Sequence, residues 1–207
     1  MNKVILVTDP LCSWCWAIAP QFRETMERLG DRVAFDFMLG GINVTATRPL
    51  GDLARSRFTE LWRRVTDVTG QTFGRLPSSE LVYNSTRPCV AIHAARQVRD
   101  APPFDYLHDL QARFFSRGED ITDVGVLIEG AESLGIDAER VRRGLADAAV
   151  LARTIDEFAI SKSYGTHALP SVLIETRAGR RLFSGGWMNA DTLVHDLDAW
   201  FAREGSV

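Results

Sequence analysis

"DPLCSWCWAIAP", Asp9 to Pro20, sets two cysteines three residues apart between a short apolar run and a helical pattern. Upstream, Val4 to Val7 is β-branched and aliphatic and is closed by Asp9-Pro10, which predicts a buried strand followed by a turn. Downstream, Trp16, Ile18, Phe22, Met26 and Leu29 fall on one helical face, Gly30 supplies a stop, and Pro20 predicts a kink. Cys12 therefore lies at a loop-to-helix boundary. A thiolate, not a thiol, attacks a disulfide, and the unpaired N–H groups and dipole of a helix N-terminus favour an anion there. This selects Cys12 as the nucleophile. Cys15, one turn further in, is placed to resolve a mixed disulfide.

A chain of 207 residues can bury a core without disulfide staples, which leaves its three cysteines free for chemistry. With 24 basic and 27 acidic residues and a net charge of -3, nothing points to a nucleic-acid or membrane partner. "MNKVILVTDP" is too short in apolar residues for a secretory signal, and no apolar run approaches a membrane span, so the expected address is the cytoplasm. In that reducing compartment a Cys-x-x-Cys pair is redox-active or metal-binding rather than structural. A zinc site needs four ligands, but Cys89 is single, and His93, His108, His167 and His195 are scattered without ligand spacing. The redox reading is preferred, with no metal and no tightly bound cofactor.

Further strands are predicted at "VAFDFML" (Val33 to Leu39), closed by Gly40-Gly41, and at "SVLIE" and "RRLFSG" after Pro170, with "RAGR" as the hairpin turn. Asp191 opens a last helix with Val194, Leu197 and Phe201 on its apolar side. Between the halves the periodicity is helical. Leu53, Phe58, Leu61, Trp62, Val65 and Val68 make one stripe, and Phe104, Leu107, Leu110 and Phe114 another. Thr122 is expected to cap a helix ended by Gly135, and Asp137 to open one carrying Val141, Leu145, Leu151, Ile155 and Phe158. "DAPPFD", Asp100 to Asp105, reads as a loop, and Cys89 falls near the start of a helix. The order is strand, helix, strand, helical block, strand, strand, helix.

Three features resemble the thioredoxin superfamily, and in detail its DsbA-type branch: Cys12-Ser13-Trp14-Cys15 after a first strand, Pro20 five residues beyond the second cysteine, and "HALPSVLIE" before the late hairpin. The extended "DPLCSWCWAIAPQF" start and the "LGG" after the second strand resemble its cytoplasmic, protein-disulfide isomerase-like members. The resemblance implies an α/β thioredoxin-like fold with an all-helical insertion domain. Residues 1–45 and 165–207 would form the thioredoxin-like domain and 46–164 the insertion. It also implies a cis Leu169-Pro170 bond facing the cysteines, with Ser13, Trp14, Leu169 and Pro170 contacting substrate. Ser13-Trp14 stands where strongly oxidising exported relatives carry Pro-His, so no imidazolium supports the Cys12 thiolate. Trp14 serves either as a peptide-contact surface or as a cover for the sulfurs. The implied partners are protein or small-molecule disulfides and dithiols, with glutathione or a thioredoxin-type protein as electron donor.

Outside the pair, Cys89 reads as a buried hydrophobe, or as a third redox thiol if folding brings it near Cys12. Arg87 reads as solvated, His167 as a loop residue that could line the site, and Asp9 as a partner for backbone groups ahead of the helix. Two other readings share the layout. A DsbA-like adaptor delivering substrates to a Clp-type protease has a similar "CWA-x-x-P" start. A kappa-class glutathione transferase or hydroxychromene-carboxylate isomerase has a single activated serine, against which Cys15 argues.

Overall fold

The computed structural model describes residues 2–166 and 168–204, so His167, considered above as a lining residue, lies outside the described residues. The strands are β1 (Lys3–Thr8), β2 (Ala34–Leu39), β3 (Ser171–Thr176) and β4 (Gly179–Gly185), in one sheet of order β2-β1-β3-β4. β1 runs parallel to β2 and antiparallel to β3, and β3 to β4 is an antiparallel hairpin. Register alternates side chains between faces. Val4, Leu6, Phe37, Leu39, Val172 and Ile174 join the main core, whereas Ile5, Val7, Met38 and Leu173 pack on the opposite face with Tyr164 and Leu169. This is a thioredoxin-like sheet with a helical insertion between β2 and β3.

Helix α1 (Ser13–Leu29) packs on the core face of the sheet beside α8 (Ala190–Glu204). Leu193 and Leu197 of α8 are fully buried, each such burial contributing about 1.5–3 kcal/mol. The helix α1 continues through Pro20. Proline has no N–H to offer the carbonyl four residues earlier, Trp16 O. Gln71 Nε2 donates to that oxygen at 3.1 Å instead, and Trp16 Nε1 donates to Thr72 O at 3.0 Å. The vacancy left by Pro20 thus becomes an anchor for the segment after α2.

The insertion consists of α2 (Asp52–Thr69), α3 (Thr86–Arg96), α4 (Phe104–Ala112), α5 (Val124–Ser133), α6 (Ala138–Ala146) and α7 (Ala148–Ser163). Three expectations need correction. The helix opened by Asp137 is two helices, because Asp147 leaves helical geometry and its carboxylate accepts from Ala149 N at 2.7 Å, capping α7. Asp123, not Thr122, caps α5, accepting from Gly125 N and Val126 N. The stripe on α2 is buried only at Trp62 and Val65; Leu53 and Val68 are exposed, as are Leu151 and Ile155 on α7. The α4 stripe is extended by a π-type turn over Arg113–Arg117 that buries Phe114 and Phe115.

α7 covers the sheet edge at β2. Its Glu157 accepts from Leu39 N at 3.0 Å and pairs with His93 at 2.9 Å and Arg96 at 3.3 Å, both on α3. Burial opposes that charge, but His93, Arg96 and the Leu39 N–H outweigh it and hold the carboxyl below its ordinary range. Gly40 and Gly41 follow β2 where Leu169 and Phe158 approach the backbone closely. A Cβ at Gly40 would lie 2.6 Å from Leu169 Cδ1, and one at Gly41, where φ is 72°, would lie 2.6 Å from the Phe158 ring.

Candidate active site

Cys12 is the N-cap of α1. Its backbone is extended, its N–H donates to Asp9 O at 3.2 Å, and its sulfur accepts the Cys15 N–H at 3.4 Å. A thiolate there would face the unpaired donors of the helix's first turn. Cys12 keeps 7% exposure and Cys15 none, so Cys12 is the thiol of the pair that solvent touches. The two sulfurs are not bonded to each other. Burial pushes the Cys15 pKa well up; a hydrogen bond and negative charge at Cys12 and the charge of Asp9 push the same way, with Thr8 opposing. In the reduced state Cys15 therefore holds its proton.

The sheet end contributes Leu169 and Pro170. The Leu169-Pro170 peptide bond is cis, and the Leu169 carbonyl lies 3.7 Å from Cys12 Sγ, within reach of an S–H donor. The Leu169 side chain rests on the Gly40 backbone, and Pro170 O accepts from Gly186 N at 2.8 Å, tying the segment to the end of β4. Ser13 is buried. Trp14 is half-buried and, among the described residues, its side chain has no hydrogen bond or ring contact. Trp16 differs: it is buried and stacks on His108 of α4 at 5.2 Å and on Phe115 at 6.1 Å.

Asp9 is more than a turn residue. It is fully buried; one carboxylate oxygen accepts from Leu11 N at 2.8 Å, and the other from Ile42 N at 3.1 Å and Ser85 Oγ at 2.7 Å. Burial raises its pKa from 3.8 to about 6, against the lowering effect of Ser85 and the Leu11, Ile42 and Gly41 N–H groups. Its influence on thiol acidity, unsigned in sequence, is to raise Cys15. Cys89 is also fully buried, 3.8 Å from the same carboxylate oxygen, and its pKa is driven well up first by burial and then by Asp9. Arg87 is exposed and donates to Thr122 O rather than to the cysteines.

The insertion supplies residues that periodicity did not single out. Tyr83 donates its hydroxyl to Leu11 O, Gln111 Nε2 donates to Asp9 O at 3.4 Å, and Ser85 holds Asp9. These grip the loop that carries Cys12. No local pattern marks them: Tyr83 and Ser85 sit in the polar run "YNSTRP" and Gln111 has polar and apolar neighbours alike. Among the described residues there is no group of three or more His, Cys, Asp or Glu placed to hold a metal ion. No helix among them is long and apolar enough to cross a membrane.

A family model described as a DSBA-like thioredoxin domain matches residues 3–198. Among solved structures, the chain is similar to a candidate protein disulfide isomerase from Nitrosomonas europaea, with a TM-score of 0.89, 24% identity and 98% of each chain covered. It is also similar to the cytosolic disulfide reductase DsbM from Pseudomonas aeruginosa, with a TM-score of 0.75, 22% identity, and 99% of this chain and 97% of that one covered. DsbM is known with GSH as well, and that structure gives a TM-score of 0.72. Among curated proteins, the ClpXP adapter protein SpxH of Bacillus subtilis is 23% identical over 150 residues, covering 69% of this chain and 48% of that protein. The chain spans about half the length of the curated relatives it matches.

Proposed function

Because the chain belongs to the DSBA-like thioredoxin domain family, we propose that it is a thiol-disulfide oxidoreductase with Cys12 as nucleophile and Cys15 as resolving thiol. The observation that carries this reading is the setting of Cys12: helix N-cap, Cys15 N–H at 3.4 Å from its sulfur, and Leu169 O at 3.7 Å on the other side.

In the reducing direction, the Cys12 thiolate attacks one sulfur of a substrate disulfide. A Cys12–substrate S–S bond forms, the substrate S–S bond breaks, and the first substrate sulfur leaves as a thiolate that takes up a proton. Cys15 then gives up its proton and attacks Cys12 Sγ, so the Cys12–Cys15 bond forms and the second substrate thiolate departs. The second thiolate is protonated in turn. The substrate has gained two electrons that the protein has lost, and of its two protons one equals that given up by Cys15 and the other that released to solvent when Cys12 ionised. The reverse sequence oxidises a dithiol. The high pKa of Cys15 suits this order of events, since it keeps the resolving thiol protonated until the mixed disulfide exists. Leu169 and Pro170 would present backbone to the substrate as an edge strand does, with Ser13 and Trp14 at the contact.

In this reading the protein works in the cytoplasm on protein or small-molecule disulfides and dithiols, and glutathione or a thioredoxin-type protein returns its electrons. The test is dithiothreitol-dependent insulin reduction together with the reduction potential of the Cys12/Cys15 couple. Turnover abolished by Cys12→Ser supports the enzyme, and the potential relative to the cytosolic poise decides between reductase and oxidase. The similarity to ClpXP adapters favours a second reading, an adaptor that delivers substrates to a Clp-type protease. A Cys12–Cys15 disulfide that forms readily while insulin reduction is absent would favour it.

A further inference from the structure

Behind Cys15, on the side away from Leu169, a cavity of about 390 Å³ lies between α1 and α4 over β1. It is at the low end of the roughly 300–1,000 Å³ range of small-molecule sites. Its walls are largely apolar: Leu6, Ala19, Phe22, Met26, Phe104 and Leu107. Thr8, Cys15, His108 and Gln111 complete its wall, with Arg23 and Asp105 as its charged residues. One of the polar atoms has nothing to bond. His108 Nδ1 is buried without a hydrogen-bond partner among the described residues, and the fully buried Thr8 turns its hydroxyl toward Cys15. Unpaired buried polar atoms are uncommon and call for an explanation. The charges are unbalanced as well. Asp105 is neutralised by Arg99 at 2.7 Å, whereas Arg23 is exposed and has no ion pair among the described residues.

We propose that this cavity binds a small amphipathic carboxylate, its apolar body between α1 and α4 and its carboxylate on the Arg23 guanidinium. Apolar walls, a ring nitrogen of His108 without a partner and one unpaired cation match a molecule with a short hydrocarbon or aromatic body and a single negative head. Cys15 is part of the wall, but the recognition rests on the apolar walls and Arg23 and uses no disulfide exchange, so the inference does not depend on the redox reading.

The experiment uses the full chain and octanoate as probe, with octanol and octylamine as neutral and cationic controls, read by calorimetry and by the indole N–H resonance of Trp16, whose ring stacks on His108. Saturable octanoate binding that shifts the Trp16 resonance is expected, with octanol weaker and octylamine weaker still. Ala19→Phe, which fills the slot, should weaken octanoate at least about tenfold, and Arg23→Gln about threefold to tenfold. Absence of saturable binding at millimolar octanoate, or equal affinity in Ala19→Phe, overturns the site. Octylamine binding as well as octanoate overturns the choice of carboxylate. Should Ala19→Phe fail to fold by circular dichroism, Arg23→Gln and the three probes decide.

Discussion

Burying the Asp9 carboxyl raises its pKa from 3.8 to about 6, so the native state holds a proton that the unfolded chain has already released between those pH values. The sign follows directly. Stability from this group is fully present below pH 4, declines as pH rises toward 6, and is constant above it. A shift from 3.8 to about 6 corresponds to about 3 kcal/mol for this fully buried group. Urea unfolding of the wild type and Asp9→Asn across pH 4 to 7 should differ in slope by an amount of that order, and parallel curves would count against it. The same substitution removes a charge that raises Cys15, so the Cys15 pKa should fall, measurable by thiolate absorbance in a Cys12→Ser background. At neutral pH, iodoacetamide should label Cys12 before Cys15 or Cys89, because Cys12 alone of the three keeps any exposure and Cys15 and Cys89 are pushed toward the thiol form. Faster labelling of Cys15 would reverse the assigned roles. At this scale the sequence was informative where spacing encodes geometry, as for Cys12 and Cys15, whereas the cis bond before Pro170 was implied by the family resemblance alone. Tyr83, Ser85 and Gln111 were hidden, because each acts on a loop more than 70 positions away.

Elements meet around small residues and shared carboxylates, and the costs of disturbing them are specific. Gly41→Ala adds a Cβ to a left-handed position and drives it into the Phe158 ring. The conformational part costs about 1–2 kcal/mol and the crowding about 1–3 kcal/mol, so chemical denaturation should register a loss above about 2 kcal/mol. Glu157→Ala leaves the Leu39 N–H and the Arg96 guanidinium without an acceptor on α7 and should cost about 3 kcal/mol, loosening β2 from α3 and α7. Hydrogen exchange at Leu39 reads the same event locally. Strand and helix types were legible because period-2 and period-3.6 patterns differ, as β1 and α4 illustrate. The boundary at Asp147 was not seen, although Asp147-Ala148-Ala149 repeats the cap signal of Asp137-Ala138; an unbroken apolar spacing across it masked the stop.

The division at residues 45/46 and 164/165 is a proposal about topology rather than about stability. One core cluster runs from Val4 and Leu6 in the sheet through Phe22 to Phe114, Leu127 and Val141 in the insertion. Phe22 and Phe37 both touch Phe104, at 6.0 and 4.9 Å. Urea should accordingly unfold the chain in one transition seen identically by tryptophan fluorescence and far-ultraviolet circular dichroism; two separated transitions would restore the independent-domain view. Amphipathic stripes predicted that helices would bury apolar faces, but not which partner each would choose. That choice depends on shape at the α1–α4 contact, which no local pattern records.

The central position of β1 bears on how the protein is made. Its neighbour β3 begins at Ser171, so Val4 to Val7 wait for partners synthesised more than 160 positions later. Such distant pairing raises contact order and slows folding. A ribosome-bound chain that has reached only α7 can already pair β1 with β2, yet it carries the other edge of β1 open, an apolar strand with unpaired backbone donors and acceptors. Nascent chains arrested before Ser171 should therefore be readily cleaved by protease and held by chaperones, whereas chains extended through β4 beyond the exit tunnel should resist cleavage.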